Sequence, residues 1–301
     1  MPCIRIRSFS SLAAAIPGYR WKVPALALFA SLLLAGCVTQ TAYGQLDWLT
    51  RWYVNSYLDL DDSQERLVRD IVARNLAWHR ATELPQYADY IRELRAGLSG
   101  PVNAEFIARQ YATTLVLSDR TLQKLSPDIA RLLLTLNDGQ VREFFAEVEE
   151  RNAELAEEYA EHPPEVRRKK QDRSIVRAFR WFTGPLNPDQ EALVRSYTSG
   201  MHDVAGQWLQ RRKTWQSAFR KLLEGRAGNP AFEQQLAGLL LDPNQFDGAE
   251  YRRLVAENRA IAFAMSAAVL SSLSPKQRQH LDERLSGLAR DFDELASAPA
   301  R

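Results

Sequence analysis

The sequence predicts an all-α protein, a multi-helix bundle of antiparallel helical hairpins, and three observations predict it. From Gln45 onward apolar residues recur three and four positions apart through almost every segment, the period of a helix with one buried face. No stretch combines apolar–polar alternation with hairpin-turn signals, as half-buried strands would. Glycine and proline stand mainly between the periodic segments, where they punctuate helices. This reading places helices at 45–58, 62–80, 83–98, 103–124, 126–136, 138–161, 165–183, 188–224, 230–241, 249–272 and 275–296.

Taken in order, the first segment carries the aromatic run Trp48, Trp52, Tyr53 and Tyr57. The second begins at "LDDSQERLV". There Asp61 is an N-cap, and Gln64, at the third helical position, reaches back to form a capping box. Gly100 and Pro101 separate 83–98 from 103–124. In "LSPDIARLL" Ser126 reads as a cap with Pro127 in the first turn, which sets 126–136 apart as its own helix. Pro163 and Pro164 force a break between 138–161 and 165–183. "LNPDQEALV" and "LSPKQRQHL" repeat the start signal at Asn187, Pro188 and Gln190 and at Ser274, Pro275 and Gln277; "LDPNQ" at Leu241 is a partial copy. Successive full copies lie 65, 61 and 87 residues apart, too uneven for a solenoid, so the glutamines are read as capping groups rather than as ligand-binding residues.

The 188–224 segment carries the clearest stripe. At 100° per residue Leu193, Val194, Tyr197, Met201, Val204, Trp208, Trp215, Phe219, Leu222 and Leu223 share one side, expected to be core. Arg212 falls in the same sector and is expected to pair with a carboxylate. Segments 138–161 and 165–180 form a charge couple. The first holds eight glutamates; the second holds Arg167, Arg168, Lys169, Lys170, Arg173, Arg177 and Arg180. Folded back as a hairpin, their opposite signs would meet; the alternative is that "RRKK" touches anionic lipid or glycan.

The chain has 301 residues and a formal net charge of +2, which suggests no nucleic-acid partner. Its two cysteines, Cys3 and Cys37, both precede the helical region, which therefore holds no disulfide, thiolate metal site or cysteine nucleophile. Ahead of Cys37 stand Arg5, Arg7, Arg20 and Lys22 with no acid, then the thirteen uncharged residues "VPALALFASLLLA". That run is too short to span a bilayer core of ~30 Å comfortably, and it contains Pro24. A basic region, a short apolar region and small residues before a cut describe a secretory signal, with the cut between Gly36 and Cys37. Removing residues 1–36 takes four bases away, and 39 − 4 leaves 35 against 37 acids, so the mature chain is near neutral.

"LAGC" resembles the lipobox of bacterial lipoproteins. That resemblance implies diacylglyceryl transfer to the Cys37 thiol as a thioether, removal of the signal and acylation of the new amino terminus. Only sulfur can take the lipid in that bond, and only small side chains such as Ala35 and Gly36 fit the peptidase groove. Val38, rather than Asp, follows the cysteine, which by the same resemblance implies transfer to the outer membrane; the expected placement is its periplasmic face. The chain thus divides into a signal peptide (1–36), a lipidated tether (37–44) and a helical domain (45–301), the last with halves at 45–161 and 165–301.

Catalytic motifs were sought among the remaining residues. There is no G-x-S-x-G, H-E-x-x-H or phosphate-cradling glycine loop. "DLDDSQE" fails as a calcium loop, with Gln64 where glycine is needed and Asp70 where glutamate is needed. Asn75 and His79 lie one turn apart on the apolar side of 62–80 and read as a satisfied polar pair in a core. No catalytic residue, metal ligand or cofactor is assigned.

With the lipobox followed by "YGQLDWLTRWYVNSYLDLDDSQ" and "WHRATELPQYADYIREL", the chain resembles a family of uncharacterised proteobacterial lipoproteins across its mature length. The resemblance implies localisation and helicity but no activity. The expected role is non-catalytic binding or envelope maintenance, with the membrane as partner through Cys37 and further envelope proteins as binding partners. Two alternatives stay open: a cell-wall glycan hydrolase using a Glu/Asp pair, and a structural homo-oligomer with an exposed stripe on 188–224.

Overall fold

Caps and breakers place the helices almost where the sequence puts them. The computed structural model describes residues 43–160 and 162–298, and these contain helices and connections but no strand. The helices are α1 (Leu46–Asn55), α2 (Asp62–Trp78), α3 (Leu84–Gly97), α4 (Ala104–Thr135), α5 (Asp138–Ala160), α6 (Pro164–Thr183), α7 (Pro188–Thr198), α8 (Ala205–Glu224), α9 (Phe232–Leu241), α10 (Ala249–Ser271) and α11 (Pro275–Ser297). A π-turn at His79–Glu83 joins α2 to α3, and a 3-10 turn at Pro243–Phe246 follows α9. The signal segment, the Gly36–Cys37 cleavage site and Cys37 itself lie outside the described residues.

Three boundaries differ from expectation, each for a local reason. Ser126 is not a cap, and Pro127 sits inside the continuous helix α4. Proline has no N–H to offer the carbonyl four residues back, and the buried Ser126 hydroxyl donates to that Gln123 oxygen instead, at 3.2 Å. The expected 188–224 helix is two helices. Asn258 of α10 clasps the backbone of His202 from both sides, accepting from its N–H at 2.7 Å and donating to its carbonyl at 2.9 Å. Those two groups are thereby taken out of a helical ladder, and α7 stops at Thr198. Finally, α2 and α3 are not separated by a loop, because the π-turn carries the backbone through as helix.

The stripe predicted on 188–224 is buried, as expected, but in three different places. Val194 packs with Ile175, Met265 and Val269. Val204 and Trp208 pack with Tyr251 and Leu254. Trp215, Phe219 and Leu223 join Phe145 and Val148 of α5 and Phe232 and Leu236 of α9. Arg212 donates to Asn152 Oδ1 at 2.8 Å and lies over the Trp208 ring.

Helix α4 is the spine. Its 32 residues run about 48 Å at 1.5 Å per residue. Leu117, midway along it, joins a core built by Leu84, Tyr87 and Ile91 with Leu285, Leu288 and Phe292, where α3 packs along α11. Its C-terminal half contributes Ala130 and Leu133 to the core of α5, α8 and α9. Both large cores therefore draw side chains from the 45–161 stretch and the 165–301 stretch. One helix, α10, is long and apolar enough to cross a membrane by length and composition. In the fold it packs against α4 and α7, with Met265, Ala267 and Val269 buried.

Asp61, Asn187 and Ser274 form the capping boxes predicted for them. A fourth, at Asn137 and Gln140 in "LNDGQ", is not among the starts read from the sequence. The four boxes meet in pairs. Gln64 Nε2 donates to Gln140 Oε1 at 3.1 Å, and Gln140 Nε2 returns the bond at 2.6 Å. Each amide also donates to the carbonyl two residues ahead of its partner's cap, Thr135 at 2.9 Å and Asp59 at 2.6 Å.

Candidate functional site

The lipid-bearing cysteine predicted by the sequence lies six positions ahead of the first described residue, and that residue is an anchor point in its own right. Tyr43 is 2% exposed. Its hydroxyl donates to the Leu76 carbonyl at 3.3 Å and sits 3.1 Å from His79 Nδ1, while its ring stacks on the imidazole. The Arg80 guanidinium lies over the Tyr43 ring, 5.5 Å from its centroid. Burial pushes the Tyr43 hydroxyl up to about 12 and pulls His79 down to about 4, so both are neutral near pH 7. The first described residue is thus fastened at a fixed place in the fold.

From that place α1 runs with two unlike faces. Leu46 is buried beside Tyr43, and Val54 and Tyr57 pack toward the α5–α8 core. The opposite face presents Trp48 and Trp52, 56% and 58% exposed, with Leu49 and Tyr53 beside them. The two indoles stack, with ring centres 6.4 Å apart and planes 18° from parallel. Asp47 and Arg51, on the side of α1 that carries Val54, pair with each other at 2.8 Å.

Asn75 and His79, expected to be a satisfied pair, bond to other groups, and the Asn75 Oδ1 is buried without a hydrogen-bond partner. Asn75 donates to the Ile71 carbonyl at 2.9 Å and to Asp128 at 2.6 Å, while His79 meets Tyr43. The π-turn brings a further group inward that the sequence reading missed. Glu83 is fully buried, and burial raises its pKa against the opposing pull of Arg120, whose guanidinium donates to it at 3.1 Å. Arg120 also bonds Gln86. Nothing in the local sequence marks Glu83, because the π-turn that rotates it inward is decided by packing.

Carboxylates were the remaining catalytic question. Besides Glu83, Asp247 is raised by burial, and Arg211 faces it, bonding its carboxylate and donating to the Pro243 carbonyl at 2.6 Å. That arrangement ties the 3-10 turn to α8. A cleft of about 260 Å³ between α6 and the α7–α8 connection contains Glu158 and Asp203. Each is held in an ion pair, Glu158 with Lys170 at 2.5 Å and Asp203 with Arg167. Among the described residues no three His, Cys, Asp or Glu side chains gather as a metal site.

The two charged segments do not meet along their length as a hairpin would bring them, and Arg167 and Arg180 pair instead with Asp203 and Glu191. Among the described residues Lys170–Glu158 is the ion pair joining α5 to α6. Helix α5 packs against α8 instead, and Glu149 meets Arg220 there at 3.0 Å. Between those two helices runs a groove of about 400 Å³, floored by Phe145, Val148, Ala153 and Ala156 and rimmed by Glu149 and Lys213.

Comparison with known proteins returns one finding. A family model described as "Family of unknown function (DUF6279)" matches residues 56–252, which is 197 of the 301 residues. No curated protein matches the chain, and no solved structure matches it.

Proposed function

The chain belongs to the DUF6279 family, whose function is unknown, and from that premise we propose that it is a lipid-anchored helical lipoprotein acting by binding on the periplasmic face of the outer membrane. The observation that carries the reading is the stretch ending in "LLLAGC": four bases, a short apolar run, small residues and one cysteine in the order lipidation requires. Several acyl chains on Cys37, each methylene contributing ~0.8 kcal/mol, make such anchoring effectively permanent.

Binding is favoured over catalysis by how the ionisable groups are used. Glu83 and Asp247 each face an arginine that holds structure together, and His79 is neutral against Tyr43. The glycan-hydrolase reading needs two facing carboxylates free to take and give a proton, whereas Glu158 and Asp203 are both committed to cations.

The test is Cys37→Ser in cells fed a palmitate label. The expected result is an unprocessed precursor without label; normal processing and membrane residence would overturn the anchor. For the second half of the reading, crosslinking in cells is expected to capture defined envelope proteins. Turnover of peptidoglycan by the purified protein would overturn it.

A further inference from the structure

We propose that the α1 face formed by Trp48, Leu49, Trp52 and Tyr53 seats in the headgroup region of the bilayer that holds the Cys37 lipid, and so orients the helical bundle on the membrane. The inference rests on the anchored reading above.

Four features point to the bilayer as occupant. The first is concentration. Among the described residues seven large hydrophobic side chains are exposed, and four of them stand on the ten residues of α1; Val116, Leu134 and Val166 are single and scattered. The second is geometry. At 100° per residue the four occupy an arc of about 140°, with Trp48 and Trp52 on the side opposite the packed Leu46 and Val54 and with Tyr53 at the edge next to Leu46.

The third is chemistry. Two indoles and a phenol are rings with an apolar body and a polar tip, the residue types that settle where acyl chains meet headgroups. Asp47 and Arg51 pair with each other on another side of α1 and put no charge inside the aromatic arc. The fourth is reach. Six chain steps separate Cys37 from Tyr43, at most about 20 Å of extended chain. Tyr43 is fastened by its bonds to Leu76 and His79. A lipid on Cys37 therefore keeps α1, the first helix after the tether, within roughly that distance of the membrane surface.

The consequence is a two-point attachment. The lipid supplies retention, and the aromatic face supplies orientation, as in helices that lie in the interfacial plane. It turns a tethered, tumbling bundle into one that presents a defined side to the periplasm.

The test uses the full mature lipoprotein, acyl-labelled on Cys37, in vesicles of phosphatidylethanolamine and phosphatidylglycerol with and without shallowly brominated acyl chains. Brominated lipid is expected to quench the wild-type tryptophan emission. The quench should fall in Trp48→Phe and in Trp52→Phe and disappear in the double variant, with helicity by circular dichroism unchanged. Both positions are more than half exposed, and the single variants decide the matter should the double variant lose helicity. A wild-type protein that carries its acyl label yet shows no quench overturns the docking and leaves the anchor standing. Absence of label on Cys37 overturns the anchor itself. A photo-crosslinker at Trp52 that traps a second copy or another protein instead of lipid also overturns the docking.

Discussion

Gln190 and Gln277, 87 residues apart, exchange two amide hydrogen bonds of 3.0 and 2.9 Å. Each oxygen also accepts from its own cap's N–H, Asn187 or Ser274, at 2.9 Å. Each nitrogen also donates across to a backbone carbonyl, Ser272 at 3.1 Å and Pro185 at 2.8 Å. The arrangement at Gln64 and Gln140 is the same to the residue, since Thr135, Asp59, Ser272 and Pro185 all stand two positions before the partner's cap. A side chain that serves as a local cap in sequence thus becomes, in three dimensions, the clasp between two helix starts. All four polar valences of each buried amide are used.

Gln190→Ala is expected to destabilise the protein by about 1–3 kcal/mol, because Gln190 is buried and its loss leaves the Asn187 N–H, the Gln277 amide and the Ser272 carbonyl each short of a partner. Once that clasp is open, Gln277→Ala should cost far less than it does alone. The coupling in a double-mutant cycle, on the order of 1–3 kcal/mol by urea denaturation, is the measurement. Additive losses would mean the two caps act separately.

His79 sets a pH dependence. Its pKa falls from 6.5 in the unfolded chain to about 4 in the fold because burial disfavours the imidazolium. Between those values the unfolded chain binds more protons, so unfolding free energy rises with pH across that window and is lost as pH falls from 6.5 towards 4. The loss is on the order of 1–3 kcal/mol. Glu83, whose pKa burial raises, acts oppositely, with stability declining as pH rises above 4.5. The His79 share is therefore read as a difference: His79→Gln should flatten the dependence between pH 4 and 6.5 relative to wild type. An unchanged slope would show that His79 is solvated in the folded protein.

Ser126 and Pro127 should couple in the same way. Pro127→Ala restores the N–H that bonds Gln123 and is expected to raise stability by about 1–3 kcal/mol. Ser126→Ala should cost about 1 kcal/mol in the wild type, where the hydroxyl bonds that carbonyl, and little in the Pro127→Ala background. Thermal melts of the four proteins check it; equal effects of Ser126→Ala in both backgrounds would refute the substitution of hydroxyl for amide.

Much of the fold was legible in the sequence, and what was missed follows a pattern. Asp61, Asn187 and Ser274 were readable because a cap acts on backbone N–H groups two or three residues away. Ser126-Pro127 carries the same letters and is helix interior, because surrounding helices hold α4 straight through it. Helical periodicity ran unbroken across 188–224, yet Asn258, more than fifty residues on, broke the helix there. Within the candidate site, Cys37 was readable as a linear motif, whereas the inward rotation of Glu83 and the exposure of Trp48 and Trp52 were not.

By itself, then, the sequence determined the helical class and most helix starts. These depend on interactions among neighbouring residues or on composition, which the linear chain already contains. Only the tertiary structure decided that α4 is continuous, that four capping glutamines close into two clasps and that the aromatic residues of α1 face outward while the stripe of α7 and α8 faces in. An apolar face is the same in sequence whether it is buried or bare. Which it becomes depends on the area other helices can cover, and that is a property of the packed assembly.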